Sequence, residues 1–279
     1  MSCKSLRVYA LACLAMLCGM EAVPAQAQQI DLSSSRVVDL THTFGKDTLY
    51  WPTATSGFEL KPVHKGPTPL GFYYAAYSFC APEHGGTHLD APAHFAEGVW
   101  SSGEIPVDRF IGPAVVIDVS DKAKTDPDYT LSVEDVAAFE AKHGRIAPGA
   151  TVLLRTGWGA RWPDRLAYFG DDTPGDASRL HFPSYGLATA TFLIRERRVG
   201  TLGVDTASID AGTSRDFPVH RLAAANNVVG LENLANLGEL PETGATVVAL
   251  PMKIAGGSGA PARVIALVPR SPQSQEEPE

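Results

Sequence analysis

The chain has 279 residues, a mass of 29.6 kDa, 44% hydrophobic and 19% charged residues, and a formal net charge of −8. This length and mixture are typical of a folded globular protein and exclude a collagen-like, coiled-coil or wholly disordered chain. The negative charge and the pI near 5.5 argue against nucleic acid or an anionic membrane as a partner.

The first 27 residues have the pattern of a secretory signal peptide. Lys4 and Arg7 precede a short apolar run at 8–18, and Ala25-Gln26-Ala27 forms an A-x-A cleavage site. The run is too short to span a bilayer comfortably, and no later stretch reaches the roughly 18 apolar residues of a membrane helix. We therefore expect an exported protein, periplasmic or secreted, with no membrane segment after cleavage.

Two features follow in the next part of the chain. Proline and glycine are dense over 49–69 around three aromatic residues, which predicts an irregular loop, either a lid or a packed surface loop. Cys80 is the one cysteine left after the signal, so no internal disulfide can form. Because Cys80 follows Tyr77-Ser78-Phe79, we expect a buried small hydrophobe rather than a nucleophile.

Strands alternate with helices from about residue 114 onward. The sequence Ser132-Val133-Glu134-Asp135 is a capping box that begins a helix, and Gly144 ends it. A second helix is predicted from about Tyr185 to Arg198. Short apolar, β-branched runs predict strands at 114–119, 151–155, 200–204, 228–231, 245–254 and 262–268.

This alternation predicts one α/β domain over 28–270. The tail at 271–279 is rich in proline, glutamine and glutamate, and we expect it to be disordered.

The most informative segment holds three of the eight histidines within 84–94. His84 and His88 are four residues apart, which is the spacing of a helical zinc pair, but Gly85-Gly86 and Pro92 oppose a helix. In an extended chain His84, His88 and Asp90 share parity and project to one face. Two imidazoles and a carboxylate suit a first-row divalent ion. The sequence therefore predicts a metal site here.

We interpret the other isolated histidines and two later aspartates as structural residues. A single histidine is usually a satisfied core or surface residue, which is our interpretation of His42, His64, His143 and His181. Asp205 and Asp210 are interpreted as structural turn residues rather than as a catalytic pair.

The run from His84 to His94, H-G-G-T-H-L-D-A-P-A-H, resembles the signature H-x-G-T-H-x-D-x-P-x-H of the cyclase family of metal-dependent hydrolases. This family includes kynurenine formamidases and isatin hydrolases. The resemblance extends from Val38 to about Val268. It implies an α/β fold with a barrel-like mixed β core and flanking helices, of the swivelling β/β/α type, and subunits that associate as homodimers or homotetramers.

The resemblance also implies roles for individual residues. His84, His88 and Asp90 match the ligands of one metal ion, and Asp90, His220 and Glu232 match those of a second, with Asp90 bridging. His94 matches the family's catalytic histidine. A divalent ion is therefore expected, with Zn²⁺ ahead of Mn²⁺ and one or two ions per subunit.

The expected reaction is hydrolysis of the C–N bond of an aryl formamide or a cyclic amide by metal-activated water, with His94 passing a proton to the leaving nitrogen. Candidates for an apolar wall around this small substrate are Tyr50, Trp51, Phe72 and Trp158. Two alternatives stay open: a lactam hydrolase like the isatin hydrolases with a single manganese, and a periplasmic protein that binds metal or ligand without turnover.

Overall fold

The computed structural model describes residues 32–270, so the predicted signal peptide at 1–27 and the predicted disordered tail at 271–279 lie outside the described residues. The strands of the described part are β1 (Ser35–Asp39), β2 (Glu59–Pro67), β3 (Tyr73–Cys80), β4 (His88–Asp90), β5 (Ile111–Asp118), β6 (Thr130–Leu131), β7 (Thr151–Arg155), β8 (Ser184–Tyr185), β9 (Thr201–Val204), β10 (Val229–Glu232), β11 (Ala245–Pro251) and β12 (Gly259–Pro269). Its α-helices are α1 (Ser120–Thr125), α2 (Val133–His143), α3 (Arg165–Phe169), α4 (Leu187–Thr191) and α5 (Pro218–Ala225). None of these helices is both long and apolar enough to cross a membrane.

Seven strands close into a barrel. Their order around the ring is β12, β11, β5, β7, β9, β10 and β4, and β4 pairs with β12 again to complete the circle. The pairs from β5 through β10 are parallel, whereas those that involve β4, β11 or β12 are antiparallel. β1 adds to β12 outside the ring. The predicted α/β fold with a barrel-like mixed β core is confirmed.

The sequence of β7 shows why these strands form. Val152 and Leu154 pack on one side with residues of α2 and α4, while Leu153 packs on the other side with apolar residues contributed by strands around the ring. A continuous apolar run is the expected sequence of a parallel strand that is buried on both faces. The strand predicted at 151–155 is therefore confirmed at the same bounds.

The other predicted strands are confirmed with shifted ends. β5 begins at Ile111 rather than 114, and β12 extends to both sides of 262–268. β11 ends at Pro251 rather than 254.

The first predicted helix is confirmed, and the second begins later than predicted. The capping box of Ser132 and Asp135 is present, and Gly144 follows the last residue of α2 with a φ of 86° that favours glycine. The second helix begins at Leu187, because Tyr185 belongs to strand β8, which pairs with β6. Beyond α4 it continues as a π-helical turn over Phe192–Glu196.

Two predictions about the segment before the metal motif are wrong. Much of the expected irregular loop at 49–69 is strand β2, which pairs with β3 in a hairpin. Cys80, at the end of β3, is exposed rather than buried. The reason is that both strands of this hairpin are exposed along most of their length.

Candidate metal centre

The metal motif lies where β4 joins the barrel. His88 and Asp90 flank Leu89 in this three-residue strand, so both project to the opposite side from Leu89, which packs in the apolar core. In the antiparallel pairing, Glu232 of β10 stands directly opposite His88. The register of the barrel therefore places a second carboxylate beside the motif.

The remaining ligands come from outside the strands. His84 precedes β4 and reaches back over a bend at Gly86, where φ is 55°. His220 lies on α5, and the chain returns from α5 to β10, which carries Glu232. A short helix followed by a strand thus brings His220 and Glu232 to one cavity, as the sequence predicts.

Asp90 stands at the centre of the cluster. Its Oδ1 lies 2.7 Å from Nδ1 of His84 and 3.2 Å from Nε2 of His88. Its Oδ2 lies 3.1 Å from Nε2 of His220, which in turn lies 3.0 Å from Oε1 of Glu232. The described residues therefore supply two sets of converging donor atoms that share Asp90: His84, His88 and Asp90, and Asp90, His220 and Glu232.

Neighbouring groups fix which nitrogen of each histidine faces the cluster. Nδ1 of His88 lies 3.0 Å from the carbonyl oxygen of Gly86 and donates to it, so Nε2 is the nitrogen that faces the carboxylates of the cluster. Nδ1 of His220 lies 2.7 Å from the buried carboxylate of Asp210. Outer partners of this kind orient imidazoles for metal binding.

The chemistry of this donor set fits a divalent cation. Nε2 of His88 is buried and has no hydrogen-bond partner in the described part of the chain, yet it lies 3.4 Å from Oε2 of Glu232. Burial alone lowers the pKa of His88, but the carboxylates of Asp90 and Glu232 raise it to about 9. Burial and the charge of Asp90 raise the pKa of Glu232. A divalent ion would neutralise the two buried carboxylates of Asp90 and Glu232, and it would also give Nε2 of His88 a partner.

Glycines leave room around Asp90 on both neighbouring strands. Gly230 of β10 and Gly259 of β12 each stand opposite it. A Cβ atom on Gly230 would lie 3.2 Å from Oδ2 of Asp90, and one on Gly259 would lie 2.5 Å from Cε1 of His84. The strands approach the cluster closely only because these positions carry no side chain.

A cavity of about 240 Å³ opens over the cluster. Its wall is largely aromatic and includes Tyr50, Trp51, Phe95, Phe169 and Phe217. The structure thus places two of the four predicted wall residues, Tyr50 and Trp51, at the cavity.

His94 also lines this cavity. Its ring stacks on that of His84, with centroids 3.8 Å apart and planes inclined by 15°. Burial lowers the pKa of His94 to about 4. His94 belongs to neither set of converging donor atoms in the described residues, so it stands beside the metal site.

The other two predicted wall residues lie elsewhere. Trp158 is buried in the aromatic core, where its indole N–H donates to the carbonyl oxygen of Tyr168. Phe72 is 54% exposed at the β2–β3 connection. Neither is among the residues that line the cavity. Trp158 is enclosed in the aromatic core, and Phe72 lies at the exposed end of the hairpin.

The isolated histidines outside the motif stay outside the site. His143 and His181 contact the surface acids Glu242 and Asp128. His42 stacks on Trp162, and His64 stacks on a tyrosine of the hairpin. None of these four lines the cavity over the cluster.

Asp210 has a role that the sequence interpretation missed. Its carboxylate accepts from the backbone N–H groups of Val219 and His220 and also contacts the His220 ring. It is therefore a partner of a metal-binding residue rather than only a turn residue. Asp205 keeps its structural interpretation, since it accepts from Thr156 and Gly157. No local spacing distinguishes the two aspartates, because only the folded chain brings Asp210 to His220.

A barrel that holds buried histidine and carboxylate side chains beneath an aromatic cavity has the ligands and the substrate space that a metal-dependent hydrolase needs. Comparison with known proteins agrees. The cyclase family matches residues 38–211, more than half of the chain. The isatin hydrolase of Roseibium aggregatum is 38% identical over 197 residues, which cover 68% of this chain and 73% of that protein. The kynurenine formamidase of Salinibacter ruber is 31% identical over 186 residues, or 65% and 74% of the two chains.

Solved structures give the same result. Isatin hydrolase A from Labrenzia aggregata, bound to benzyl benzoate, superposes with a TM-score of 0.76 at 35% identity and covers 85% of this chain and 95% of that one. An isatin hydrolase bound to the product analogue thioisatinate superposes with a TM-score of 0.77 at 32% identity, over 85% and 94%. The chain therefore belongs to the cyclase family and is a metal-dependent amide hydrolase.

Proposed function

We propose that this enzyme opens the amide C–N bond of a small lactam fused to an aromatic ring, as in isatin. The observation that carries the proposal is the cavity, which has about 240 Å³ and an aromatic wall above the metal cluster. Tyr50, Trp51 and Phe217 suit a flat, uncharged ring system. An aryl formamide with an amino-acid group would bring two further charges into this apolar space, which is unfavourable without paired side chains.

The similarities point in the same direction. The relative at 38% identity and the two solved structures at 35% and 32% are named isatin hydrolases, whereas the kynurenine formamidase of Salinibacter ruber is 31% identical. These names support a cyclic amide ahead of an open-chain formamide.

The proposed cofactor is a divalent ion, Zn²⁺ ahead of Mn²⁺, in one or two copies. His84, His88, Asp90, His220 and Glu232 would hold it. The chemistry that such an ion supplies when bound is polarisation of a carbonyl and acidification of water. Imidazole and carboxylate ligands suit both metals.

His94 is proposed as the residue that moves the proton. The leaving nitrogen of an anilide is a poor anion and needs a proton as the C–N bond breaks. The His94 ring faces the cavity and stacks on His84 without joining either donor set. From this position its imidazole can take the proton that the attacking water gives up and deliver it to the leaving nitrogen.

Tyr50 is proposed to orient the substrate. Tyr50 is 6% exposed, it lines the cavity, and its buried hydroxyl has no hydrogen-bond partner among residues 32–270. A buried hydroxyl without a partner is costly, and a polar atom of the bound lactam would supply one. Burial raises the pKa of Tyr50 to about 12, so the hydroxyl keeps its proton and can donate.

The function is tested with a substrate panel. Purified protein is loaded separately with Zn²⁺ and Mn²⁺ and assayed with isatin, N-formylkynurenine, formanilide and an aryl lactone. We expect the highest kcat/KM on isatin. A preference of tenfold or more for either formamide would contradict the lactam proposal, and binding without turnover of any compound would favour the non-catalytic alternative.

Matched histidine variants sharpen this assay. His88→Ala removes a buried metal ligand and should abolish turnover. His181→Ala removes a histidine whose ring contacts the surface residue Asp128 and does not line the cavity, so it should leave turnover unchanged.

We further propose that the chain assembles into a homodimer or homotetramer. The β2–β3 hairpin supports this, because an isolated two-stranded hairpin is marginally stable in water and this one is exposed on both strands. Its exposed large apolar residues are Leu60, Val63, Leu70, Phe72, Tyr73, Tyr74, Tyr77 and Phe79. Light scattering should give a mass of two or four subunits, and Tyr77→Ser with Phe79→Ser should lower it. A monomeric wild type would contradict the proposal.

We also propose export to the periplasm or medium. The support is the sequence pattern of Lys4, Arg7, the apolar run at 8–18 and the Ala25-Gln26-Ala27 site. N-terminal sequencing of the protein recovered outside the cytosol should begin at Gln28. Uncleaved protein that stays in the cytosol would contradict this.

A further inference from the structure

Two polar residues, Ser258 and Glu83, stand behind His84 on the side of the ring away from Asp90. Nε2 of His84 lies 2.9 Å from Oγ of Ser258, and this hydroxyl lies 2.6 Å from Oε2 of Glu83. The backbone N–H of Ser258 donates to the same carboxylate oxygen at 3.0 Å. Glu83 and Ser258 are separated by 175 positions, so only closure of β12 onto β4 brings them together.

The Ser258 hydroxyl has a single proton and two polar neighbours, the Glu83 carboxylate and the His84 ring. A carboxylate only accepts, so the single hydroxyl proton of Ser258 goes to Glu83. The Ser258 oxygen then accepts from His84, which places the ring proton of His84 on Nε2. Nδ1 of His84 is then the nitrogen that faces the metal cluster, 2.7 Å from Oδ1 of Asp90.

The backbone is shaped to allow this contact. A Cβ atom on Gly257 would lie 2.6 Å from Oε1 of Glu83, and one on Gly259 would lie 2.5 Å from the His84 ring. The carbonyl of Ser258 accepts from the N–H of Ala91, the residue after Asp90. The Gly257-Ser258-Gly259 turn is thus attached to the metal-binding strand and approaches it closely.

We propose that Glu83 and Ser258 are positioning residues that hold His84 in the tautomer whose Nδ1 faces the metal. His88 has a backbone carbonyl for this purpose and His220 has Asp210, so Glu83 and Ser258 give the third histidine its outer partner. The hydrogen bond from His84 through the Ser258 hydroxyl to the Glu83 carboxylate also makes Nδ1 of His84 a stronger electron-pair donor to the metal. This inference rests on the metal site and is independent of the choice of substrate.

The expected effect is on metal affinity. Loss of an outer partner of a metal-binding histidine typically weakens binding about 10-fold to 100-fold. Ser258→Ala and Glu83→Gln should each weaken Zn²⁺ binding by about this factor. Glu83 acts on His84 only through Ser258. The double variant should therefore bind Zn²⁺ as tightly as Ser258→Ala by itself.

The test measures Zn²⁺ affinity of metal-free protein by competition with a chromophoric chelator. It is paired with ¹⁵N NMR of labelled histidine rings in the Zn²⁺-loaded protein. In the wild type the His84 signals should show a protonated Nε2 and a metal-bound Nδ1, and Ser258→Ala should lose the hydrogen-bonded Nε2–H signal. Ser258→Thr keeps the hydroxyl and should keep most of the affinity.

Two controls separate positioning from general damage. Ser102→Ala removes a hydroxyl that bonds to Ile254 in the same loop but does not touch His84. Glu97→Gln makes the same charge change as Glu83→Gln at an exposed residue. Both should bind Zn²⁺ as the wild type does. If Ser258→Ala fails to fold, as judged by its thermal unfolding, Glu83→Gln and its NMR signature carry the test.

The outcomes are distinguishable. Unchanged affinity and an unchanged His84 signal in both Ser258→Ala and Glu83→Gln would overturn the positioning role while the metal site stands. An equal loss of Zn²⁺ affinity in Ser102→Ala would also overturn it, because the loop rather than the contact between Glu83, Ser258 and His84 would then be responsible. A wild type that binds no divalent ion would instead remove the metal site itself.

Discussion

Oδ2 of Asp90 lies 3.1 Å from Nε2 of His220, although the two residues are 130 positions apart in the chain. The other oxygen of the same carboxylate lies 2.7 Å from Nδ1 of His84. One side chain thus faces donors from two separate parts of the sequence, as a carboxylate that bridged two ions would have to do.

Asp90 should therefore matter more for metal content than Glu232. Asp90→Ala removes a ligand from both donor sets and should leave almost no bound ion, whereas Glu232→Ala disturbs only the second set. Elemental analysis of the purified variants measures this, with exposed Glu97→Ala as the control. Equal losses from both variants would argue against bridging, and full metal content in Glu232→Ala would indicate a single ion at His84, His88 and Asp90.

His94→Ala should separate proton transfer from metal binding. Since His94 belongs to neither donor set, metal content should stay nearly unchanged. The turnover number should fall by about 10²–10⁴, the usual contribution of a positioned acid or base. Steady-state kinetics with elemental analysis measures both quantities.

The leaving group provides the control for His94. An activated ester needs less proton assistance than an anilide, so His94→Ala should lose less activity on the ester. If His94→Ala loses its metal, His94 is a ligand, and if metal and turnover both persist, His94 has no catalytic role.

Tyr50→Phe tests the substrate contact. If the buried hydroxyl bonds to the substrate, its loss should cost about 1 kcal/mol, roughly fivefold in kcat/KM on isatin. Removing a buried hydroxyl without a protein partner should not lower the free energy of unfolding. Kinetics and denaturant unfolding check the two expectations. An unchanged kcat/KM would show that the Tyr50 hydroxyl does not bind the substrate and that the ring only forms part of the apolar wall.

The capping box of α2 should make stability depend on pH. Partial burial raises the pKa of Asp135, but hydrogen bonds from Lys122, Tyr129 and Ser132 outweigh it and lower the pKa to about 2. Its ionised form therefore stabilises the fold above about pH 4, and this contribution is lost as the pH falls toward 2.

Asp135→Asn should consequently cost about 1 kcal/mol of unfolding free energy at neutral pH. The difference from the wild type should shrink as the pH drops below 4. Urea unfolding at a series of pH values measures it. A difference that stays constant from pH 7 to pH 3 would show that the Asp135 charge is not responsible.

The sequence predicts the ligands that lie close together in the chain. His84, His88 and Asp90 fall within seven positions, and their residue types alone suggest a metal. His220 and Glu232 have no such local pattern, and only the resemblance to the cyclase family assigned them. Their proximity depends on the register of β10 against β4.

The outer partners could not be predicted for the same reason. Asp210 reaches His220 through the fold, and Ser258 reaches His84 only after the barrel closes. Glu83 is next to His84 in the chain, but an isolated glutamate usually indicates a solvated surface. The exposed β2–β3 hairpin was missed because proline and glycine predict irregular loops, and here Pro62 and Gly66 lie within a strand that is open to solvent.

The measurement that tests the central claim most directly is isatin ring opening by one preparation before and after metal removal. The protein is stripped with a chelator, verified as metal-free by elemental analysis, and titrated with Zn²⁺ or Mn²⁺ while isatin loss is followed by absorbance. The account predicts no turnover in the stripped protein and a rate that rises in proportion to bound metal, up to one or two ions per subunit. Undiminished amide hydrolysis by verified metal-free protein would contradict it.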